Sequence, residues 1–206
     1  MDLTKPILIT GASGKTGRRA VAATAKKGGR VRAFVRRPEA GAELLQAGAS
    51  EIAIGDLSDP GSLQRALEGV GQVLHICPPM HPQEDKIAMS LIDLASSEEV
   101  DRFVLYSVLH PLLADVPHHA RKLEAERYLV DSGQAYTILQ PGRYMQHLAA
   151  IWKTVLTTGV HSMSFGTTAR FSVVDLTDLA DATATVLTSP GPVSFTHLTL
   201  PTTSRV

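Results

Sequence analysis

The chain has little of the chemistry typical of secreted, membrane-spanning or nucleic-acid-binding proteins. Its 206 residues contain one cysteine, Cys77, which excludes an internal disulfide framework and fits a reducing cytoplasm. No apolar run approaches the roughly 20 residues that span a bilayer, so no membrane partner is expected. Lysine plus arginine equals aspartate plus glutamate at 20 each, so no overall positive field favours direct contact with nucleic acid. The 44% of hydrophobic residues suffice for one substantial core.

A glycine-rich segment near the amino terminus carries the strongest signal in the sequence. An apolar, strand-like run at residues 6–10 leads into three glycines spaced three apart, and a helical pattern follows over residues 15–27. Glycines placed in this way let the chain turn sharply, bring backbone N–H groups close to a pyrophosphate and let the helix pack on the sheet. The amino terminus of that helix adds a partial positive charge. The predicted cofactor contacts in this segment are Gly11, Ser13, Gly14, Lys15, Thr16 and Gly17.

Two other interpretations of this segment compete with a dinucleotide site. Its G-x-x-G-x-x-G spacing differs from the common G-x-G-x-x-G fingerprint, and an ordinary tight turn would also use glycines, but the strand–turn–helix context favours a dinucleotide site. A phosphate-cradling loop of the nucleotide triphosphatases would need a glycine where Ile9 stands, so that interpretation fails.

The end of the second predicted strand indicates which dinucleotide binds. NAD-binding proteins carry an acidic residue there for the ribose 2′-hydroxyl, whereas an arginine suits the 2′-phosphate of NADP. Here Arg36 and Arg37 follow the strand, and the first carboxylate is Glu39. Because a guanidinium binds phosphate in a bidentate manner, Arg36 predicts NADP(H) in preference to NAD(H). The alternative is a pair of solvated arginines.

Strands and helices alternate along most of the chain. Strands are predicted at residues 6–10, 31–35, 51–54, 73–76, 103–107 and 136–139, and helices at about 15–27, 39–47, 59–67, 83–95 and 119–130. Such alternation predicts an α/β, doubly wound, parallel-sheet, Rossmann-like three-layer fold. Ligands of these folds bind at the carboxyl ends of the strands. The residues that follow the strands, including Asp56, Leu57, Pro78 and Ser107, are therefore candidates for ligand contact, with loop packing as the alternative for each.

Over roughly residues 5–190 the chain resembles the NmrA-like group of atypical short-chain dehydrogenase/reductase proteins. The resemblance is carried by residues 9–17, Val35 with Arg36, residues 55–57, residues 132–142 and residues 171–180. It implies either an NAD(P)H-dependent reductase of quinones or conjugated substrates, or a protein that binds the cofactor without catalysis. Its implied partner is a small-molecule substrate.

The resemblance also implies a set of catalytic residues. Short-chain dehydrogenases use a serine and a Tyr-x-x-x-Lys motif, in which the lysine holds the nicotinamide ribose. Ser107 matches the serine and Lys122 the lysine, whereas His118 stands at the tyrosine position. An imidazole titrates near neutral pH, so His118 is the candidate proton donor. The alternatives are a helix-capping histidine and a solvated lysine.

Other groups of residues predict less. His118 and His119 lack companions at zinc spacing, so no metal site is expected. One set of residues predicts a substrate cleft, and the same set would also suit an amphipathic helix that covers the sheet. Its members are Tyr144, Met145, His147, Leu148 and Trp152.

The carboxyl terminus departs from the family pattern. We expect an NAD(P)-binding domain at residues 1–191, with an incomplete substrate lobe from about residue 142, and a non-native tail at residues 192–206, which looks like translated adapter sequence. A natural strand-forming tail is the alternative.

The expected function is an NADPH-dependent reductase that passes hydride to a small quinone, carbonyl or conjugated acceptor. The alternative is a non-catalytic NADP-binding redox sensor or regulatory protein with a protein partner. Either would be a cytoplasmic monomer or homodimer.

Overall fold

The computed structural model describes Asp2 and residues 4–78, 80–113, 115–162, 166 and 168–189. The predicted tail at 192–206 lies outside these residues. Six parallel strands form one sheet in the order β3-β2-β1-β4-β5-β6. They are β1 (Ile7–Ile9), β2 (Val31–Val35), β3 (Glu51–Ile54), β4 (Gln72–His75), β5 (Arg102–Tyr106) and β6 (Tyr136–Leu139). This order confirms the prediction of a doubly wound parallel sheet.

Of the seven helices in the described residues, all but the sixth pack on the two faces of the sheet, which completes the three-layer fold. They are α1 (Lys15–Lys26), α2 (Ala40–Gln46), α3 (Pro60–Leu67), α4 (Glu84–Ser97), α5 (Pro117–Asp131), α6 (Gln146–Thr158) and α7 (Leu176–Thr188). A second, two-stranded parallel sheet pairs β7 (Arg143–Tyr144) with β8 (Val173–Val174). Within the described ranges, no helix is long and apolar enough to span a bilayer.

Alternation along the strands builds two cores on opposite faces. Ile7 and Ile9 of β1 pack with α1, α2 and α7, whereas Leu8 between them packs with α3, α4 and α5. The strand order reverses between β1 and β4, and the glycine-rich turn leaves β1 at that point. In sheets of this kind the cofactor crevice lies at such a reversal.

Element boundaries differ from the sequence predictions by no more than two residues at any end, and β2, β3 and β6 match at both ends. Asp59 caps α3, since its side chain accepts a hydrogen bond from Gly61 N at 3.0 Å and Pro60 occupies the first turn. Helix α5 begins at Pro117, two residues earlier than expected, since proline suits the first helical position.

A buried arginine fastens the last helix to the sheet. Arg102, at the start of β5, donates to the Gln72 side-chain oxygen and to the Val186 carbonyl, with Nη2 distances of 2.6 and 2.5 Å. Gln72 in turn donates to the Leu187 carbonyl at 3.0 Å. These contacts satisfy carbonyls near the carboxyl end of α7, where a cation is also favoured by the helix dipole.

Replacing Arg102 with methionine is expected to lower the free energy of unfolding by about 1–3 kcal/mol, because buried carbonyl and amide oxygens lose their donor. Arg127→Met is the matched control, since Arg127 forms only an exposed pair with Glu124 and its loss should cost less than about 0.5 kcal/mol. Urea unfolding of both variants measures the difference. Equal losses would mean that Arg102 does not anchor α7.

Candidate functional site

The glycine-rich turn is built so that backbone segments approach each other closely. Gly11 has φ +61°, and a Cβ there would lie 2.4 Å from the Ile76 carbonyl oxygen. A Cβ at Gly17 would lie 2.2 Å from the Gly11 oxygen. A Cβ at Gly14 would meet only that oxygen, at 3.3 Å, among the described residues. The turn is therefore tightly packed at Gly11 and Gly17 and less crowded at Gly14.

Helix α1 begins at the predicted place and presents its amino terminus to the less crowded side of the turn. Gly14 is the N-cap residue and has no side chain to cap the helix, and the first turn contains no acidic residue. The amides of Lys15, Thr16 and Gly17 have no acceptor one turn earlier, as in the first turn of any helix. This end of α1 therefore suits an anion such as a pyrophosphate.

Arg36 and Asp56 follow the carboxyl ends of β2 and β3, which are neighbouring strands of the sheet. The pKa of Asp56 is below its ordinary value, chiefly because Ser58 donates hydrogen bonds from its hydroxyl at 2.5 Å and its N–H at 2.9 Å. The positive charge of Arg36 lowers this pKa further. Both residues thus lie at the carboxyl edge of the sheet, where ligands of this fold bind.

The other two candidates that follow strands, Leu57 and Pro78, differ in their exposure to solvent. Leu57 is half-buried against the core on the α3 and α4 side, while Pro78 is exposed after β4. Cys77, next to Pro78, is buried, and burial raises the pKa of its thiol to about 11. A thiol of this kind is mostly protonated at neutral pH.

The catalytic candidates meet beyond the end of β5. Ser107 is buried, and its hydroxyl has no hydrogen-bond partner within the described part of the chain. The Lys122 side chain is 8% exposed, and its Nζ donates to the Tyr106 carbonyl at 3.1 Å. Since Tyr106 immediately precedes Ser107, the ammonium group is held beside the serine. A buried hydroxyl without a partner costs free energy, which points to a ligand that would satisfy it.

The sequence-based reasoning missed Glu84, at the start of α4. Its Oε1 contacts His118 Nδ1 at 2.6 Å and Arg121 Nε at 3.3 Å, and its Oε2 lies 3.4 Å from Lys122 Nζ. In the sequence Glu84 is the first of three consecutive charged residues, 84–86, a pattern that does not distinguish it from a solvated side chain.

A second residue that was missed is His75, at the end of β4. Its Nδ1 lies 2.9 Å from the Thr10 hydroxyl, and its Nε2 is buried without a partner among the described residues. Burial lowers the pKa of His75 to about 3, with a further contribution from the positive charge of Lys122. A neutral imidazole therefore faces the region of Lys122.

The segment after β6 returns to the glycine-rich turn. Burial raises the pKa of the Tyr144 phenol, and the neighbouring Thr16 side chain partly opposes this. The rings of Tyr144 and His147 are 5.4 Å apart. The pKa of His147 is lowered by burial and then by the charges of Arg143 and Lys15. These residues thus border the turn from the side of the predicted substrate lobe.

Helix α6 does not cover the sheet, although its sequence was compatible with that role. None of its residues is buried. Its large exposed apolar side chains are Leu148, Trp152 and Leu156, and Met145, just before the helix, is also exposed. The described residues contain no group of histidine, cysteine, aspartate or glutamate side chains placed to hold a metal ion.

Comparisons with known proteins identify relatives of this fold and turn. The model of a protein family described as NAD(P)H-binding matches residues 11–190. The NAD(P)H azoreductase of Xenophilus azovorans is 30% identical over 186 residues, which cover 90% of this chain and 64% of that protein. A photosystem II assembly factor of Cyanophora paradoxa is 32% identical over 189 residues, which cover 82% of this chain and 59% of that protein.

A solved structure supports the same relationship. An NADPH-dependent quinone oxidoreductase from Escherichia coli, complexed with NADPH, is similar with a TM-score of 0.82 and 28% sequence identity. The match covers 90% of this chain and 66% of that one. The chain thus spans less than two thirds of the length of each of these three proteins.

Proposed function

Because the chain belongs to the NAD(P)H-binding family, in the NmrA-like form that its motifs predict, we propose that it is an NADPH-dependent reductase. The proposed reaction transfers hydride to a small quinone, carbonyl or conjugated acceptor. The names of the azoreductase and quinone oxidoreductase relatives support this reaction class. The single cysteine and its buried position fit work in the cytoplasm.

The observation that carries the proposal is the buried, unpartnered hydroxyl of Ser107 beside Lys122. A buried hydroxyl of this kind suits a polar group of a ligand at the carboxyl ends of the central strands, where sheets of this kind bind their ligands. The residues also fit the cofactor, since the glycine-rich turn is less crowded at Gly14 and the first turn of α1 lacks acidic side chains. The bound dinucleotide would supply the hydride.

The residues of the chain have separate tasks in this proposal. The amino terminus of α1 binds the pyrophosphate, and Arg36 binds the adenosine 2′-phosphate. Lys122 holds the nicotinamide ribose, and Ser107 donates a hydrogen bond to the acceptor oxygen. His118, when both ring nitrogens carry hydrogen, gives the Nε2 proton that accompanies reduction and keeps the Nδ1 hydrogen that Glu84 accepts.

A non-catalytic NADP-binding regulator is the second candidate. His118 replaces the tyrosine of the short-chain dehydrogenases, and a photosystem II assembly factor is among the relatives. The two candidates are distinguished by titrating the chain with NADPH and NADH and then following quinone-dependent NADPH oxidation. Binding with turnover supports the reductase, binding without turnover supports the regulator, and absence of binding contradicts both.

Replacing Ser107 with alanine tests the reductase at one atom. We expect turnover to fall about tenfold while the free energy of unfolding stays level or rises, because the lost hydroxyl had no partner. Ser62→Ala is the matched control for stability. The Ser62 hydroxyl bonds to Asp56 and Asp59, so its loss should cost about 1–2 kcal/mol. Full turnover in Ser107→Ala would remove Ser107 from the mechanism.

A further inference from the structure

A buried carboxylate lies where helices α4 and α5 meet, beside the proposed catalytic residues. Glu84 is 2% exposed and contacts three side chains of α5, those of His118, Arg121 and Lys122. These three residues stand at positions i, i+3 and i+4 of α5, so they are neighbours on one face of the helix. Their number and burial distinguish this cluster from the exposed ion pairs elsewhere on the molecule, such as Glu124 with Arg127.

The contact between Glu84 and His118 determines which ring nitrogen carries hydrogen. A carboxylate can only accept a hydrogen bond, so Nδ1 of His118 must be the donor in the 2.6 Å contact. Nε2 makes no hydrogen bond to any residue that the structure describes. Nδ1 of His118 therefore keeps its hydrogen, and Nε2 is the nitrogen at which this imidazole gains or loses a proton.

The contact between Glu84 and Lys122 acts on the second proposed residue. The carboxylate compensates a buried ammonium group, and Lys122 also donates to the Tyr106 carbonyl. With both contacts made, Nζ has a fixed place next to Ser107. Removing the carboxylate would leave the ammonium group buried without its counter-ion, which is costly.

We propose that Glu84 is a positioning residue, which fixes the tautomer of His118 and the place of the Lys122 ammonium group at the end of β5. The kinetic consequence rests on the proposed reductase function. The tautomer and the contacts are properties of the free protein and are testable without turnover. A role limited to fastening α4 to α5 would leave the chemistry of His118 unchanged.

The first test is proton NMR of the free protein. A short hydrogen bond from imidazole to carboxylate shifts the Nδ1 proton far downfield, and this resonance is identified by its loss in His118→Ala. We expect Glu84→Gln, which keeps the volume but removes the charge, to move the resonance upfield. Asp93→Asn is the matched control, because Asp93 is a carboxylate of the same helix that bonds to Tyr128. An unmoved resonance in Glu84→Gln would overturn the proposal.

A second variant covers the case in which Glu84→Gln does not fold. Glu84→Asp keeps the charge but withdraws the carboxylate by one methylene, so the 2.6 Å contact should lengthen and the resonance should again move upfield. A folded Glu84→Asp protein with the wild-type resonance would also contradict the proposal.

The second test is a double-mutant cycle on turnover. We expect Glu84→Gln to lower kcat about tenfold in the wild-type background but less than about threefold in a His118→Ala background, where only its effect through Lys122 remains. Additive losses would show that Glu84 does not act through His118. If the wild-type chain shows no turnover, the reductase proposal fails, and the NMR comparison alone decides on Glu84.

Discussion

Gly17→Ala is expected to cost about 3 kcal/mol or more of folding free energy, a larger loss than most single substitutions cause. The new Cβ would lie 2.2 Å from the Gly11 carbonyl oxygen and 2.7 Å from the Ala12 Cα atom. Both are backbone atoms of the same turn, and the turn is closed by the hydrogen bond from Gly14 N to Gly11 O. No side chain can move aside, so α1 must separate from the turn. Urea unfolding monitored by circular dichroism measures the loss.

Gly14→Ala has the opposite expected outcome, although the two glycines share one motif. Gly14 has φ −76° and ψ 167°, which alanine adopts freely, and its Cβ would meet only one atom, at 3.3 Å. Stability should therefore fall by less than about 1 kcal/mol. The added methyl group would lie on the less crowded face of the turn, so the affinity for NADPH should fall at least about tenfold, or about 1.4 kcal/mol.

The pair of variants separates packing from binding. Gly61→Ala in α3 controls for the general effect of a glycine-to-alanine change in a helix, because its Cβ would make only ordinary contacts. Unchanged NADPH binding by Gly14→Ala would mean that the pyrophosphate does not lie against this turn. An unchanged free energy of unfolding in Gly17→Ala would mean that the helix does not pack on the turn as closely as the structure indicates.

Most of the sheet could be predicted from the sequence because its strands are short apolar runs between helical patterns. Buried parallel strands need apolar residues on both faces, and Ile7, Leu8 and Ile9 meet that need in β1. Arg102 and Gln72, the first residues of β5 and β4, are buried polar residues and so do not follow this rule. Their partners are carbonyls of α7, more than eighty residues away in sequence, so local patterns could not reveal them.

The candidate site was predictable to different extents at its two ends. The nucleotide end depends on one continuous segment, residues 11–17, whose conformation follows from its glycines. The catalytic end is assembled from β5, α4 and α5, and it depends on packing between helices. Glu84 was missed for this reason, since its contact with His118 spans 34 residues and exists only when α4 lies beside α5. Ser107 is a candidate from its place at a strand end, whereas the family resemblance is what singles out Lys122 and gives both residues a catalytic role.

Arg36→Asp is expected to reverse the proposed preference between the two dinucleotides. Loss of a bidentate contact to the 2′-phosphate should weaken NADPH binding by about 3–4 kcal/mol, a factor of several hundred. The new carboxylate would join Asp56 at the same edge, and together they would repel the phosphate. A carboxylate at this strand end can instead accept from the ribose 2′-hydroxyl, so the Kd for NADH should change less than about threefold.

The measurement is a pair of calorimetric titrations, with NADPH and with NADH, at one fixed ionic strength, because salt screens exposed charges such as Arg36. Arg37→Asp is the matched control. It makes the same charge change one residue later in the chain. Of the two arginines, Arg36 is the one whose positive charge lowers the pKa of Asp56. The control should weaken NADPH only modestly through the general field. Equal losses of NADPH and NADH affinity in Arg36→Asp would contradict the assignment. The two dinucleotides differ by the 2′-phosphate, so a residue that recognises this phosphate must discriminate between them.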